Sequence, residues 1–227
     1  MPGKWNTYYE FEAHLKRAMR LPLAGKEAQL RLAPRMDSSR FDPEYYRKMQ
    51  PRESAVLCLF YPNESGSPRL VFMLRRAYKG AHSGQMSFPG GKSDPEDLSL
   101  VRTALRETRE EIGVEVPEEK VLGALTEFYI PVSGFLVFPY VASLQRAPVF
   151  SKNEREVERL YFADFETLYD MAGNWKYFSH RYGEESVEVP YFSLEDQRIW
   201  GATAVILGEL MAQFGKAEGI RSRTPIR

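Results

Sequence analysis

The chain is poor in cysteine, has no excess of either charge sign and contains no long apolar run, and each shortage removes a class of explanation. One cysteine in 227 residues rules out an internal disulfide. That residue, Cys58, sits in the apolar run AVLCLF and reads as a small buried hydrophobe, not as a nucleophile. Lys plus Arg and Asp plus Glu stand at 31 each, so the net charge is zero and no basic excess suggests general nucleic-acid binding. The balance leaves room for a small anionic ligand held by a few local cations. No apolar stretch reaches the roughly 18 residues of a membrane span. The opening MPGKWNTYYEFEAHLKR is polar and lacks a signal-peptide core, so a reducing cytoplasmic compartment is the default expectation.

What is present is the pattern of one ordinary globular domain with extensions. Phe11, Leu15 and Met19 recur four apart, which predicts a short amphipathic helix over 9–20, and a second is expected near 43–49. Residues 1–50 are read as an extension packed on a domain of 51–215, with 216–227 as a tail. From Ser54 the texture changes. SAVLCLFY (54–61) and RLVFMLRR (69–76), separated by the turn-rich PNESGSP, predict paired strands. AHSGQMSFPGGKSDPED is expected to be mostly loop, with an extended piece at 85–88. Strands are expected at 121–130, 134–144, 157–165 and near 186–192, with helices near 165–172 and 199–215. Strands interleaved with helices around one core indicate an α+β or mixed α/β sandwich.

The clearest helix runs over about 95–112. Asp94 followed by Pro95 reads as its start and Gly113 as its stop. Val101, Ala104, Leu105, Thr108 and Ile112 form the expected buried stripe. Another face carries Glu107, Glu110 and Glu111, spaced i, i+3, i+4, where like charges cost roughly 0.2–0.5 kcal/mol per pair. Arg106 can pair with Glu110 one turn on, whereas Glu107 and Glu111 have no partner within the helix. A solvated, salt-bridged face is the plain explanation. The alternative is a hard divalent cation, Mg²⁺ or Mn²⁺, for which an oxygen-only cluster is suited.

The segment SFPGGKSDPEDLSLVRTALRETREEIGVEV resembles the box of the Nudix hydrolases, GX5EX7REUXEEXGU, with U a bulky aliphatic residue. Its second half, Arg106-Glu107-Thr108-Arg109-Glu110-Glu111-Ile112-Gly113-Val114, fits apart from Thr108 at an aliphatic position. The first half is one residue too long between Gly91 and Arg106. Strict register puts Leu98 where the first Glu belongs and Lys92 at the Gly, with Glu96 and Asp97 as nearby substitutes. LRRAYKGAHSGQMSFPGGKSD (74–94) resembles the stretch preceding the box in coenzyme A pyrophosphatases, although Tyr78-Lys79-Gly80 lacks an expected Arg. PVSGF, NEREV and IWGATA also resemble that branch, so the likeness spans about 50–215.

This resemblance implies a Nudix-type α/β/α sandwich with a mixed sheet and an N-terminal helical extension. It implies that Glu107, Glu110 and Glu111 bind Mg²⁺ or Mn²⁺, with the Gly91 carbonyl as a further ligand and Arg106 holding the cluster together. Glu156, with Glu154 second, is the candidate for an additional carboxylate. Arg75, Arg76, Lys79 and His82 are read as a phosphate-binding rim. Ser133, Gly134 and Phe135 are candidates for the pantetheine or adenine side, Phe135 being equally well placed as core, and Trp200 is read as core. The expected reaction is hydrolysis of coenzyme A or a derivative to phosphopantetheine and adenosine 3′,5′-bisphosphate. The expected partner is a small coenzyme A-like diphosphate, with no nucleic acid and no membrane, and the N-terminal extension is a candidate homodimer interface. Another nucleoside diphosphate substrate and a non-catalytic ligand-sensing role are the competing readings.

Overall fold

The continuous apolar run at residues 55–60 marks a strand covered on both faces, and in the computed structural model it is the centre of a large mixed sheet. The structure describes residues 5, 7–34, 43–77, 82–182 and 184–219. Three short helices come first: α1 (Tyr8–Met19), α2 (Gly25–Leu30) and α3 (Pro43–Lys48). The central part holds β1 (Arg52–Pro62), β2 (Pro68–Arg75), β3 (Met86–Ser87), β4 (Gly90–Lys92) and α4 (Leu100–Ile112). Then follow β5 (Val121–Ala124), β6 (Phe128–Ile130), β7 (Phe135–Ser143), β8 (Val157–Asp164) and α5 (Phe165–Asp170). The chain continues through β9 (Lys176–Tyr182), β10 (Glu185–Leu194), β11 (Gln197–Trp200) and α6 (Gly201–Ala217).

β1 lies between β2 (antiparallel) and β7 (parallel), while β4 pairs with its N-terminal part. β8 joins through β2, and β5 and β6 join through β7. Because successive strand residues point to opposite faces, β1 feeds two cores. Cys58 and Phe60 face one, shared with Phe11 and Leu15 of α1 and with Val205 and Leu210 of α6. Leu57, Leu59 and Tyr61 face the other, shared with Ala104 and Ile112 of α4. The result is a three-layer α/β/α sandwich, as the sequence predicts. Phe11 packs its ring on Phe60, Phe165 and Phe214, so the first helix is part of the main core. Truncating such a ring costs roughly 3–5 kcal/mol. Cys58 is a fully buried free thiol whose pKa burial pushes well up, consistent with a hydrophobe and not a nucleophile. Among the described residues no helix is long and apolar enough to cross a membrane.

Several expectations shift. The predicted strand 121–130 is two strands, because Glu209 of α6 takes the N–H and hydroxyl of Thr126 and draws the backbone out of the ladder. The Gly-Gly segment, expected as loop, is β4. A separate three-stranded sheet, β9–β10–β11, replaces the single strand expected near 186–192, and its Phe192 and Ile199 join the core beneath α6. Trp200 is half-buried on that sheet against Phe178 and His180, not in the core. Lys79 and residues 220–227 of the tail lie outside the described residues.

Candidate active site

α4 begins five residues later than Asp94–Pro95 suggests. Ser99, in extended conformation, is the N-cap and its hydroxyl accepts the Arg102 N–H. Asp97, the residue a capping argument overlooks, is drawn into side-chain bonding instead. Arg106 donates to it from Nε and Nη2, both at 2.9 Å, and Thr103 donates its hydroxyl at 2.8 Å. This pairing holds the Asp97 carboxyl well below the usual carboxylate range. Leu98, the strict-register residue, is 82% exposed, while Glu96 is exposed and has no such role. The arginine's hydrogen-bonded carboxylate partner in the long loop is therefore Asp97, with Asp94 further off at 3.7 Å.

The buried stripe of α4 is Thr103, Ala104, Thr108, Glu111 and Ile112. Val101 and Leu105 are only partly covered. Thr108 satisfies its hydroxyl on the Ala104 carbonyl at 2.7 Å, which explains how a polar residue sits at an aliphatic position. Glu111 is the unexpected member, a carboxylate 1% exposed. It accepts the Gly90 N–H at 2.7 Å and pairs with Arg75 Nη1 at 3.2 Å. Its pKa is pushed up to about 7, chiefly by burial, against the pull of Arg75 and Gly90 and with added repulsion from Glu107 and Glu156. Glu107 is also raised, again first by burial, then by Glu110 and Glu156 after the opposing effect of Arg106.

The two glycines make this approach possible. Gly90 has φ +149, and a Cβ there would strike the Ala55 carbonyl and Val56 of β1. A Cβ on Gly91 would strike the Glu107 carboxylate. Arg75 also donates Nη2 to the Gly90 carbonyl at 2.7 Å, so the loop, β2 and the end of α4 are tied at one point. On the outer side, Arg106 Nη1 bridges Glu107 at 2.9 Å and Glu110 at 3.2 Å.

The three helix glutamates thus differ sharply in exposure. Glu110 is exposed, Glu107 partly covered and Glu111 buried. Among the described residues no three His, Cys, Asp or Glu side chains form a finished metal cage. The donor set nonetheless fits a hard divalent cation: it is oxygen-only, and in a partly desolvated place Glu107 raises the cost of ionising Glu111 while Glu110 raises that of Glu107. Glu156 adds its field to both, whereas Glu154 is exposed and pairs with Lys152. The NEREV segment is docked on the end of α4, where the Asn153 N–H reaches the Glu111 carbonyl at 2.8 Å.

Beside this cluster lies a cavity of about 240 Å³ that Arg75, Gly90, Gly91 and Lys92 line on the cluster side. Its walls include Val56, Phe88, Ile130, Phe135 and Val137, and Ala202, Thr203 and Ile206 of α6 close it. Phe135 is therefore a pocket residue, covered from outside by the Arg52 guanidinium 4.2 Å from its ring centroid. Ser133 and Gly134 form the adjacent turn, and their carbonyls accept from Arg52 Nη2 and the Arg52 N–H. His82 lines the cavity, with Nδ1 3.2 Å from Gln85 Oε1. Arg76 points elsewhere, pairing with Glu158 at 3.4 Å on the surface. The α6 residues are the part sequence reading missed, although the IWGATA stretch was a signal for them.

A Gly-Gly strand pressed on a carboxylate-bearing helix within an α/β/α sandwich defines the class. The family model described as NUDIX domain matches residues 51–196, and the chain belongs to that family as a Nudix-type pyrophosphohydrolase. It is 37% identical over 162 residues to the mitochondrial coenzyme A diphosphatase NUDT8 of Homo sapiens, covering 70% of this chain and 68% of that protein. It is 37% identical over 150 residues to the Nudix hydrolase NudL of Yersinia enterocolitica, covering 64% and 74%. Among solved structures, a MutT/nudix family protein from Enterococcus faecalis aligns with a TM-score of 0.50 at 15% identity, covering 98% of this chain and 78% of that one, a likeness of fold alone.

Proposed function

We propose that this protein hydrolyses the diphosphate linkage of coenzyme A, or of a derivative, to phosphopantetheine and adenosine 3′,5′-bisphosphate. The observation that carries the reading is the 37% identity to a coenzyme A diphosphatase over a region that includes the box helix and the FPGG strand. Mg²⁺ or Mn²⁺ would be held by Glu107, Glu110 and Glu111 with the Gly91 carbonyl. Such an ion supplies charge neutralisation at the diphosphate and a more acidic water.

The chain's own residues set up that place. Arg106, clamped by Asp97, fixes Glu107 and Glu110 relative to the loop. Glu156, whose field reaches Glu107 and Glu111, is the candidate to take a proton from the attacking water. Arg75 holds Glu111 and the Gly90 carbonyl while facing the cavity. A reducing compartment, the cytoplasm by default, belongs to this reading, although the human relative's name places that protein in mitochondria.

The test is mass spectrometry of coenzyme A incubated with the protein and Mg²⁺ or Mn²⁺ in ¹⁸O-labelled water, beside a panel of nucleoside diphosphate compounds. Metal-dependent release of the two products is expected, with the label identifying the phosphorus attacked. Cleavage of another panel member alone would discard coenzyme A as substrate. Binding of a diphosphate with no cleavage would favour a sensing role.

A further inference from the structure

The three-stranded sheet ends at β9, which pairs with β10 on one side and with no described strand on the other. Alternate N–H and C=O groups along its seven residues therefore point outward, a template for another strand. Natural edges are blunted by proline, by bulges or by charges. β9 is not: KYFSHRY lacks proline, its register with β10 runs unbroken, and its two cations, Lys176 and Arg181, lie near the ends. By contrast β8, which also pairs with one strand only, carries Glu158 and Arg159, and Arg159 is tied to Glu195 and Asp196 of the β10–β11 turn.

The sequence of this edge is complementary to itself. Two copies laid antiparallel over the full strand put Ser179 opposite Ser179 on a two-fold axis. Phe178 then lies opposite His180 of the second copy, and Tyr177 opposite its Arg181. Across the junction one face reads Val189, Phe178, then His180 and Val187 of the second copy, an unbroken apolar and aromatic row that the axis repeats in reverse. The other face carries Tyr177, which is 48% exposed, and Arg181, also exposed. A ring and a guanidinium set opposite each other attract. No cation meets a cation. Moving the axis by one residue shortens the overlap and brings Lys176 opposite His180, or His180 opposite itself. The first helix offers no rival, because α1 packs its apolar face into the core of its own chain.

We infer that a second copy of this chain docks on β9, so that two three-stranded sheets become one six-stranded sheet across a two-fold axis. The tip of the hairpin stands in solvent, with Ser179, Arg181, Ser186 and Glu188 all exposed, so a partner strand can approach it. None of these residues lines the cavity beside the carboxylates. Association is therefore independent of which diphosphate the protein cleaves and is tested apart from it.

Sedimentation of the full chain over a concentration series should show a reversible dimer. Tyr177→Arg sets two like-charge pairs across the axis and should weaken association at least tenfold, while Tyr177→Arg combined with Arg181→Glu should restore it. Within one chain the two positions are about 13 Å apart along the strand, so the rescue reads the contact between copies. Ser179→Cys supplies a geometric readout. Directly opposite residues have Cα atoms about 4.5–5.5 Å apart, inside the range of about 4.4–6.8 Å that a disulfide spans. Because Cys58 is buried, mild oxidation should link two copies through position 179 and should not link Ser186→Cys, one strand further from the axis. Thermal unfolding checks that each variant keeps its fold; if Tyr177→Arg does not, the two cysteine variants decide. A chain that stays monomeric at every concentration would overturn the inference and leave the edge to a strand of another protein. So would a dimer that Tyr177→Arg leaves intact and that Ser179→Cys does not cross-link.

Discussion

Without a divalent cation, this protein should lose stability as the pH rises through neutrality, and Glu111 should be the cause. Its carboxyl is 1% exposed and its pKa is pushed from 4.5 to about 7, burial outweighing Arg75 and the Gly90 N–H. The folded state therefore holds this proton more tightly than the unfolded chain does. The stabilisation is complete below pH 4.5 and is lost as the pH climbs through about 7. The interval corresponds to about 3 kcal/mol in full, of which about 2.5 kcal/mol falls between pH 5 and pH 8. Glu111→Gln keeps the shape and an acceptor but does not titrate there, so the difference between the two proteins isolates the one group. The assay is equilibrium urea unfolding of both at pH 5 and pH 8 with a chelator present. The variant should gain on the unaltered protein by about that amount at the higher pH. Millimolar Mn²⁺ at pH 8 should then restore the unaltered protein selectively, because the ion binds the ionised carboxylate. A stability difference that is the same at both pH values would refute the reasoning.

Asp97→Asn should behave in the opposite sense. It removes the charge that anchors Arg106 and should cost about 2–3 kcal/mol in urea unfolding. Because the Asp97 carboxyl lies below its ordinary 3.8, that deficit should be constant from pH 5 to pH 8 and shrink only in acid; an unmoved midpoint would remove Asp97 from this role. Gly91→Ala forces the Glu107 carboxylate aside and should lower turnover about 10²-fold while leaving a cooperative fold, checked by steady-state rates beside thermal unfolding. Glu111→Gln should lower kcat by at least about 10²-fold, and near-normal turnover would unseat it as a site residue. For Glu156→Gln, a reduced kcat with an altered pH profile is expected; full activity at every pH would end its candidacy.

How far the sequence could be read depended on the range of each cause. β1 was legible because burial on both faces writes itself as a continuous apolar run. The end of α4 was legible because Gly113 at φ +72 and the REXXEE spacing are local chemistry. The start of α4 was not: Asp94-Pro95 reads locally as a cap and first turn, but Ser99 caps the helix, and Asp97 between them is held by the Arg106 side chain nine residues away. The placement of Glu111 was misread for a similar reason. Helical periodicity marks it as part of an acidic face, but Arg75 from β2 and the Gly90 N–H from β4 make its burial tolerable. β4 itself is three residues of Gly-Gly-Lys held by pairing with Ser54, Ala55 and Val56, which no local propensity announces. The α6 wall of the cavity lies more than a hundred residues from the FPGG segment it faces and could be suspected only from IWGATA.

The charges around α4 bear on what binds the substrate. Two arginines, Arg75 and Arg106, stand against five carboxylates, Asp94, Asp97, Glu107, Glu110 and Glu111. With all five ionised, three negative charges are left over, a repulsive setting for a diphosphate. Neither arginine is at liberty to offset it: Arg106 is bonded to three of the carboxylates, and Arg75 divides itself between Glu111 and the Gly90 carbonyl. Arg76, expected on the phosphate rim, is turned to Glu158. The local charge therefore suits a divalent cation and, without one, opposes the substrate. Affinity should depend on metal as strongly as turnover does. Calorimetric titration of a non-hydrolysable diphosphate analogue should show at least about tenfold weaker binding in chelator than in Mg²⁺, since every ~1.4 kcal/mol of relieved repulsion is a factor of ten. Equal affinity in the two buffers would mean that cations of the chain itself hold the phosphates, and the charge count around α4 would have to be abandoned as the basis of substrate binding.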